Sequence, residues 1–182
     1  MRMRLALIAL TLALLNLTVL APIAYASAPG SDVAAPSAAS PIPVTGTITD
    51  ALGNPVGTFT GTLKLDHFAN QNGQLVAVGK LTGTLTNLLG VILGTITDFI
   101  VTLPVTNIHG TCDILHLELG PLDLDLLGLV VHLDKVVLDI SAQSGSGELL
   151  GNLLCAIAHL LDTNGPLDDL VSLLNQLLDQ LT

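Results

Sequence analysis

Apolar and polar residues alternate with a period of two through most of this chain, and that pattern limits its folds more than any other feature. Between Gly57 and Asp66, Phe59, Gly61, Leu63 and Leu65 fall on one side and Thr58, Thr60, Thr62 and Lys64 on the other. Between Gln74 and Thr86, Leu75, Ala77, Gly79, Leu81, Gly83 and Leu85 oppose Val76, Val78, Lys80, Thr82, Thr84 and Thr86. The run from Asp113 to Ile140 continues in the same way, with Leu115/117/119, Leu122/124/126 and Leu129, Val131, Leu133 set against His116, Glu118, Asp123, Asp125 and His132. Successive strand side chains point to opposite faces, so this alternation predicts strands with one dry face and one wet face.

The punctuation agrees. Asn70-Gln71-Asn72-Gly73 carries the Asn-Gly signal of a hairpin, and Gly53-Asn54-Pro55 marks an earlier turn. If Gly120-Pro121 were a further tight turn, Glu118 would lie beside Asp123 and His116 beside Asp125, but Pro121 fits a two-residue hairpin poorly. A weak Gly-Thr-(Ile/Leu)-Thr-(Asp/Asn) repeat recurs at 46–50, 83–87 and 94–98. Its spacing is too irregular for a solenoid and fits similar strands in a meander. The Thr-rich wet faces could order water as a flat array, but Thr is also an ordinary residue for such a face.

After Gly147 the period changes. Leu150, Leu153, Leu154, Ile157, Leu160 and Leu161 keep the i, i+3, i+4, i+7 spacing of a helix, closed by Asn164-Gly165. Pro166 opens a second helix with Asp168 and Asp169 in its first turn and a stripe of Leu167, Leu170, Leu174, Leu177, Leu178 and Leu181. The expected fold is therefore mainly β, an antiparallel sandwich or barrel-like meander. A C-terminal pair of amphipathic helices, about 148–181, follows it.

The N-terminus reads as an export signal. Met1-Arg2-Met3-Arg4 is a basic start, Leu5 to Leu20 an apolar run, and Ala24-Tyr25-Ala26 an A-x-A cleavage site. Residues 1–26 are the expected signal peptide, 27–43 a Ser/Ala/Pro-rich disordered tether, and 44–182 one β-rich domain. The processed chain is expected to be secreted, extracellular or at the cell surface, with no transmembrane segment. Cys112 and Cys155 are the only cysteines, and in an oxidising compartment they are expected to pair. A shared metal is the alternative.

The run LGLVVHLDKVVLDISAQ (127–143), followed by GELLGNLLCAIAHLLD (147–162) with its single Cys, resembles a group of small exported bacterial proteins of unknown function. The resemblance covers roughly 112–162. It implies a secreted β-rich domain with a Cys-bearing, Leu-rich helix, and it carries over no functional residue.

Charge removes whole classes of function. The processed chain would keep Lys64, Lys80 and Lys135 against all 15 acids, a net charge near −12. Nucleic acid and anionic membranes both require clustered Lys and Arg, so neither is an expected partner. No G-x-S-x-G elbow and no phosphate-binding Gly-Lys-Ser/Thr turn occurs. The three Phe are the only aromatics left after processing, which offers little platform for a sugar.

One constellation carries candidate chemistry: His116, Glu118, Asp123, Asp125, His132 and Asp134 on one outward face. Carboxylates suit Ca²⁺, and His with carboxylates suits Zn²⁺; the competing reading is a solvated polar face. His67 and His109 are expected to be exposed, near turns.

The resulting expectation is a non-enzymatic structural or interaction module at the cell surface or outside the cell, with no cofactor. The alternative is a carrier of a small apolar ligand inside a β-barrel, since Gly61, Gly79 and Gly83 on the inner face would leave room for one. Divalent-metal binding on the acidic face is a third reading. Self-association is left open.

Overall fold

The structure is a computed structural model that describes residues 41–126 and 129–181. The expected signal peptide, and the tether up to residue 40, lie outside the described residues. Eight strands form one antiparallel sheet: β1 Ile42–Thr49, β2 Pro55–Gln71, β3 Gln74–Asn87, β4 Ile92–Gly110, β5 Ile114–Leu119, β6 Leu122–Leu126, β7 Leu129–Leu133 and β8 Val136–Ser141. Two helices follow, α1 Leu149–Asp162 and α2 Leu167–Leu181. The first strand takes in Ile42 and Pro43 from the expected tether, because Ile42 is buried in the core opposite Leu63.

The strand order is β6-β7-β1-β2-β3-β4-β5-β8, and the links on either side of β6-β7 dictate the shape. β5 and β6 stand six strand spacings apart in that order, roughly 29 Å across a flat sheet. Only Gly120-Pro121 joins them, and three Cα steps span at most about 11 Å. Asp134-Lys135 makes the matching jump from β7 to β8. The sheet must therefore curl until one end of each margin comes within reach of these short links, as a half-barrel that does not close. Beside the Asp134-Lys135 link the β1–β7 pairing runs on: the Asp134 N–H donates to the Thr45 carbonyl (2.9 Å) and the Thr45 hydroxyl to Asp134 Oδ2 (2.6 Å).

This excludes a hairpin at Gly120-Pro121. β5 is already paired on both edges, with β4 and with β8, so β6 cannot lie beside it. β6 pairs with β7 instead, on the far side of the sheet.

The alternation places the core as expected. Phe59, Leu63 and Leu65 of β2, Leu81 and Leu85 of β3, and Leu115, Leu117 and Leu119 of β5 are all buried on the concave side. The outer side carries cross-strand rows of threonine, such as Thr45–Thr60–Thr84–Thr95. The curl bends these rows with the sheet.

The inner glycines do not leave a ligand space. Gly61 and Gly83 pair directly across β2 and β3, and the Phe59 ring lies over both. A Cβ at Gly61 would meet Phe59 Cζ at 2.8 Å, and one at Gly83 would meet Phe59 Cε2 at 2.7 Å. Leu63 Cδ1 stands 3.1 Å from where a Gly79 Cβ would be. The small residues seat large neighbours, which is how a close-packed interior is reached.

The helices cover one part of the sheet. α2 buries Leu170, Leu174, Leu177 and Leu178, and α1 buries Gly151, Leu154, Ile157 and Ala158. Asn164, at φ 50°, ends α1 in a Schellman motif: Gly165 N–H donates to Leu160 O (2.9 Å) and Asn164 N–H to Leu161 O (3.3 Å). β1 begins opposite Leu63, so β2 beyond that point lacks a strand on this side. Asn175 of α2 supplies the missing partner. Its Oδ1 accepts from Phe68 N–H (2.7 Å) and its Nδ2 donates to Phe68 O (3.0 Å). Cys112, between β4 and β5, is disulfide-bonded to Cys155 of α1, which ties that helix to the sheet. The crevice left under α2, lined by Phe68, Leu117, Leu138 and Leu174 among others, measures about 10 Å³. That is room for about one water.

Candidate functional site

The outward polar residues resolve into two separate clusters. In the first, His116 of β5 lies between two carboxylates. Its Nδ1–H donates to Asp139 Oδ1 of β8 at 2.6 Å, and its Nε2 lies 3.5 Å from Glu118 Oε1. Lys135 Nζ donates to the same Glu118 oxygen at 3.0 Å. His109 of β4 sits directly across from His116, with ring centroids 4.6 Å apart. The side chains of His116 and Glu118 are each 22% exposed, so the pair is half-buried. The Asp139 hydrogen bond, helped by Glu118, raises the His116 pKa, whereas the Lys135 hydrogen bond, helped by His116, lowers that of Glu118.

In the second cluster, His132 of β7 donates from Nδ1 to Asp123 of β6, its direct cross-strand partner. Its Nε2 then accepts from the Thr49 hydroxyl of β1 at 3.1 Å. Asp125 faces Val130 across the hairpin and is exposed, and Asp134 is engaged by Thr45.

The six candidate residues share the outer face, but they do not converge. His116 and Glu118 belong to one margin of the sheet and Asp123, Asp125 and His132 to the other, so the expected pairings of Glu118 with Asp123 and His116 with Asp125 do not form. Among the described residues no group of three His, Cys, Asp or Glu is arranged to hold a metal ion. His67 and His109 are exposed, and both lie toward the ends of their strands, β2 and β4. Sequence reasoning missed Asp139 and Lys135 as partners, because cross-strand contacts from β8 depend on a strand order that alternation does not encode.

A different feature stands out at the β3–β4 turn. Leu88 is 70% exposed, Leu89 88%, Val91 57% and Ile92 64%, and Leu93 is also exposed. Leu52, in the β1–β2 turn, is exposed at the same end, where Leu88 N–H donates to Val56 O (3.3 Å). The turn is held by Asn87. Its Oδ1 accepts from both Leu89 N–H and Val91 N–H at 2.9 Å, its N–H donates to Val91 O, and its carbonyl accepts from Gly90 N–H. Gly90 takes φ 82°, where a side chain would be strained. No Asp, Glu, Lys, Arg or His occurs between Lys80 and Asp98. The signal in the sequence is Leu88-Leu89-Gly90-Val91-Ile92-Leu93, an apolar run at a position where turn chemistry ordinarily places polar residues.

Comparison of the chain with protein-family models, with curated proteins and with solved structures returns no match. Among the described residues no helix is long and apolar enough to cross a membrane.

Proposed function

We propose that this chain is an exported, non-enzymatic interaction module that presents its apolar hairpin tip to a partner. The observation that carries this reading is where the apolar surface lies. Phe59 and Leu63 occupy the room over the inner glycines, while Leu52, Leu88, Leu89, Val91, Ile92 and Leu93 gather in solvent at one end. Exposed apolar patches of this kind mark binding surfaces. The polar clusters support the same reading, since His116 and His132 hydrogen-bond to carboxylates on neighbouring strands of the outer face instead of being aimed into a cleft. The Cys112–Cys155 bond and the expected A-x-A site at Ala24–Ala26 fit an oxidising compartment outside the cytoplasm.

Native mass spectrometry of the protein exported by its host tests this reading. The expected species starts at Ser27, carries the disulfide and holds neither metal nor small ligand. A co-purified apolar molecule released on unfolding would overturn it in favour of a carrier, and a bound divalent ion in favour of a metal site. Intact retention of Met1 to Ala26 would overturn processing.

A further inference from the structure

We infer that the β3–β4 hairpin tip inserts into the apolar part of a lipid bilayer, with a preference for zwitterionic over anionic lipid. This rests on the proposed reading of the tip as a binding surface and names its occupant.

The backbone is the first argument. A loop can enter hydrocarbon only if its polar groups are satisfied internally, because lipid offers no hydrogen bonds. The donors of the tip meet this demand: the Asn87 side chain takes the N–H groups of Leu89 and Val91, the Asn87 carbonyl that of Gly90, and the Val56 carbonyl that of Leu88. The side chains are the second. Nothing between Lys80 and Asp98 is ionisable, so insertion buries no charge. Thr84, Thr86, Thr95 and Thr97 flank the tip and place hydroxyls where the headgroup layer would begin.

Shape and composition favour lipid over a protein partner. The tip is a convex hairpin end made only of Leu, Val, Ile and Gly, without the aromatic and Arg anchors that dominate protein interfaces. Charge then selects the lipid. The whole chain is acidic, with 15 Asp and Glu against 5 Lys and Arg, so an anionic surface repels it.

The test is flotation with phosphatidylcholine vesicles and with vesicles rich in phosphatidylglycerol. The native chain is compared with Leu88→Asp/Leu89→Asp. Both proteins carry the same N-terminus, whatever processing leaves, so the difference between them reads the tip. Both leucines are exposed, so the variant keeps the fold, which circular dichroism checks. The native protein is expected to float with phosphatidylcholine and less with phosphatidylglycerol. The variant is expected to lose at least about tenfold in partitioning, given the cost of a carboxylate in hydrocarbon. Equal flotation of the two proteins, or none by either, overturns the inference. If the native chain instead forms a dimer that the variant abolishes, a second copy is the occupant; the tip remains a binding surface and the lipid assignment falls.

Discussion

The β2–β3 and β3–β4 hairpins turn at opposite ends of β3 with the same tool and opposite chemistry. At Asn70-Gln71-Asn72-Gly73, the Asn70 side chain accepts from Gly73 N–H (2.9 Å), and Asn72 and Gly73 take φ 54° and 85°, as a two-residue hairpin loop requires. At Asn87–Val91, another asparagine side chain holds the loop and another glycine supplies the positive φ. The first turn is polar and is joined to α2 through Asn70 Nδ2 and Asp168 Oδ1 (2.8 Å). The second is Leu, Leu, Val and Ile, and its side chains point into solvent. Backbone demands fix the asparagines and glycines at both turns. They do not require apolar side chains at either, so the composition of the second turn needs another cause.

The contrast extends along the strands. β8, in the region the helices brace, alternates cleanly between buried and exposed. β4 has no buried residue from Ile92 to Ile100, although the same alternation of Thr and Ile continues there. Period two assigns side chains to faces. Whether a face is covered depends on what the rest of the chain brings over it.

If one end is braced and the other is bare, substitutions should separate by end. The largest effect is expected at the brace. Cys155→Ser opens a loop with a sequence separation of 43, which the chain-entropy model values at about 4 kcal/mol. Chemical denaturation of the variant should show a loss of that order, and two free thiols in protein isolated from its host would remove the basis for it. Next comes Asn175→Ala, which strips Phe68 N–H and O of their partner on α2. A loss of about 1–3 kcal/mol is expected, since a half-buried backbone pair is left to find water. At the bare end Leu89→Asp should change stability by less than about 0.5 kcal/mol, because the side chain packs on little. A loss there comparable to that of Asn175→Ala would show that the tip is a folding element and would break the comparison.

The smallest effect belongs to the polar cluster. The raised His116 pKa adds stability that is complete below its ordinary 6.5 and fades as pH rises through the folded value. The lowered Glu118 pKa adds stability that is complete above its ordinary 4.5 and fades as pH falls through the folded value. The cluster therefore contributes most between those two values. His116→Asn should flatten the alkaline decline in melting temperature, and an unchanged profile would show that the cluster is solvated and idle.

Much of this was legible in the residues. Strand faces, the Asn-Gly hairpin, both helical stripes and the cysteine pair follow from local rules, because each depends on neighbours a few positions away or on elimination. The curl was not legible. It arises from two short links that force distant strands together, and nothing local at Gly120-Pro121 says which strand comes next. The six outward polar residues do not come together for the same reason: Glu118 and Asp123 are close in the chain, yet they belong to opposite margins of the sheet. The apolar tip was written plainly at Leu88–Leu93, but alternation alone treats such a run as more strand.

The contrast between the two turns is also the account's central claim, and it can be measured in one experiment. The chain contains no tryptophan, so a single one reports only its own surroundings. Leu89→Trp and Gln71→Trp place it at the bare and the polar turn, both at exposed positions. Their emission is recorded while phosphatidylcholine vesicles are added. The account predicts a blue shift for Leu89→Trp and none for Gln71→Trp. No shift at position 89, or the same shift at both positions, would contradict it.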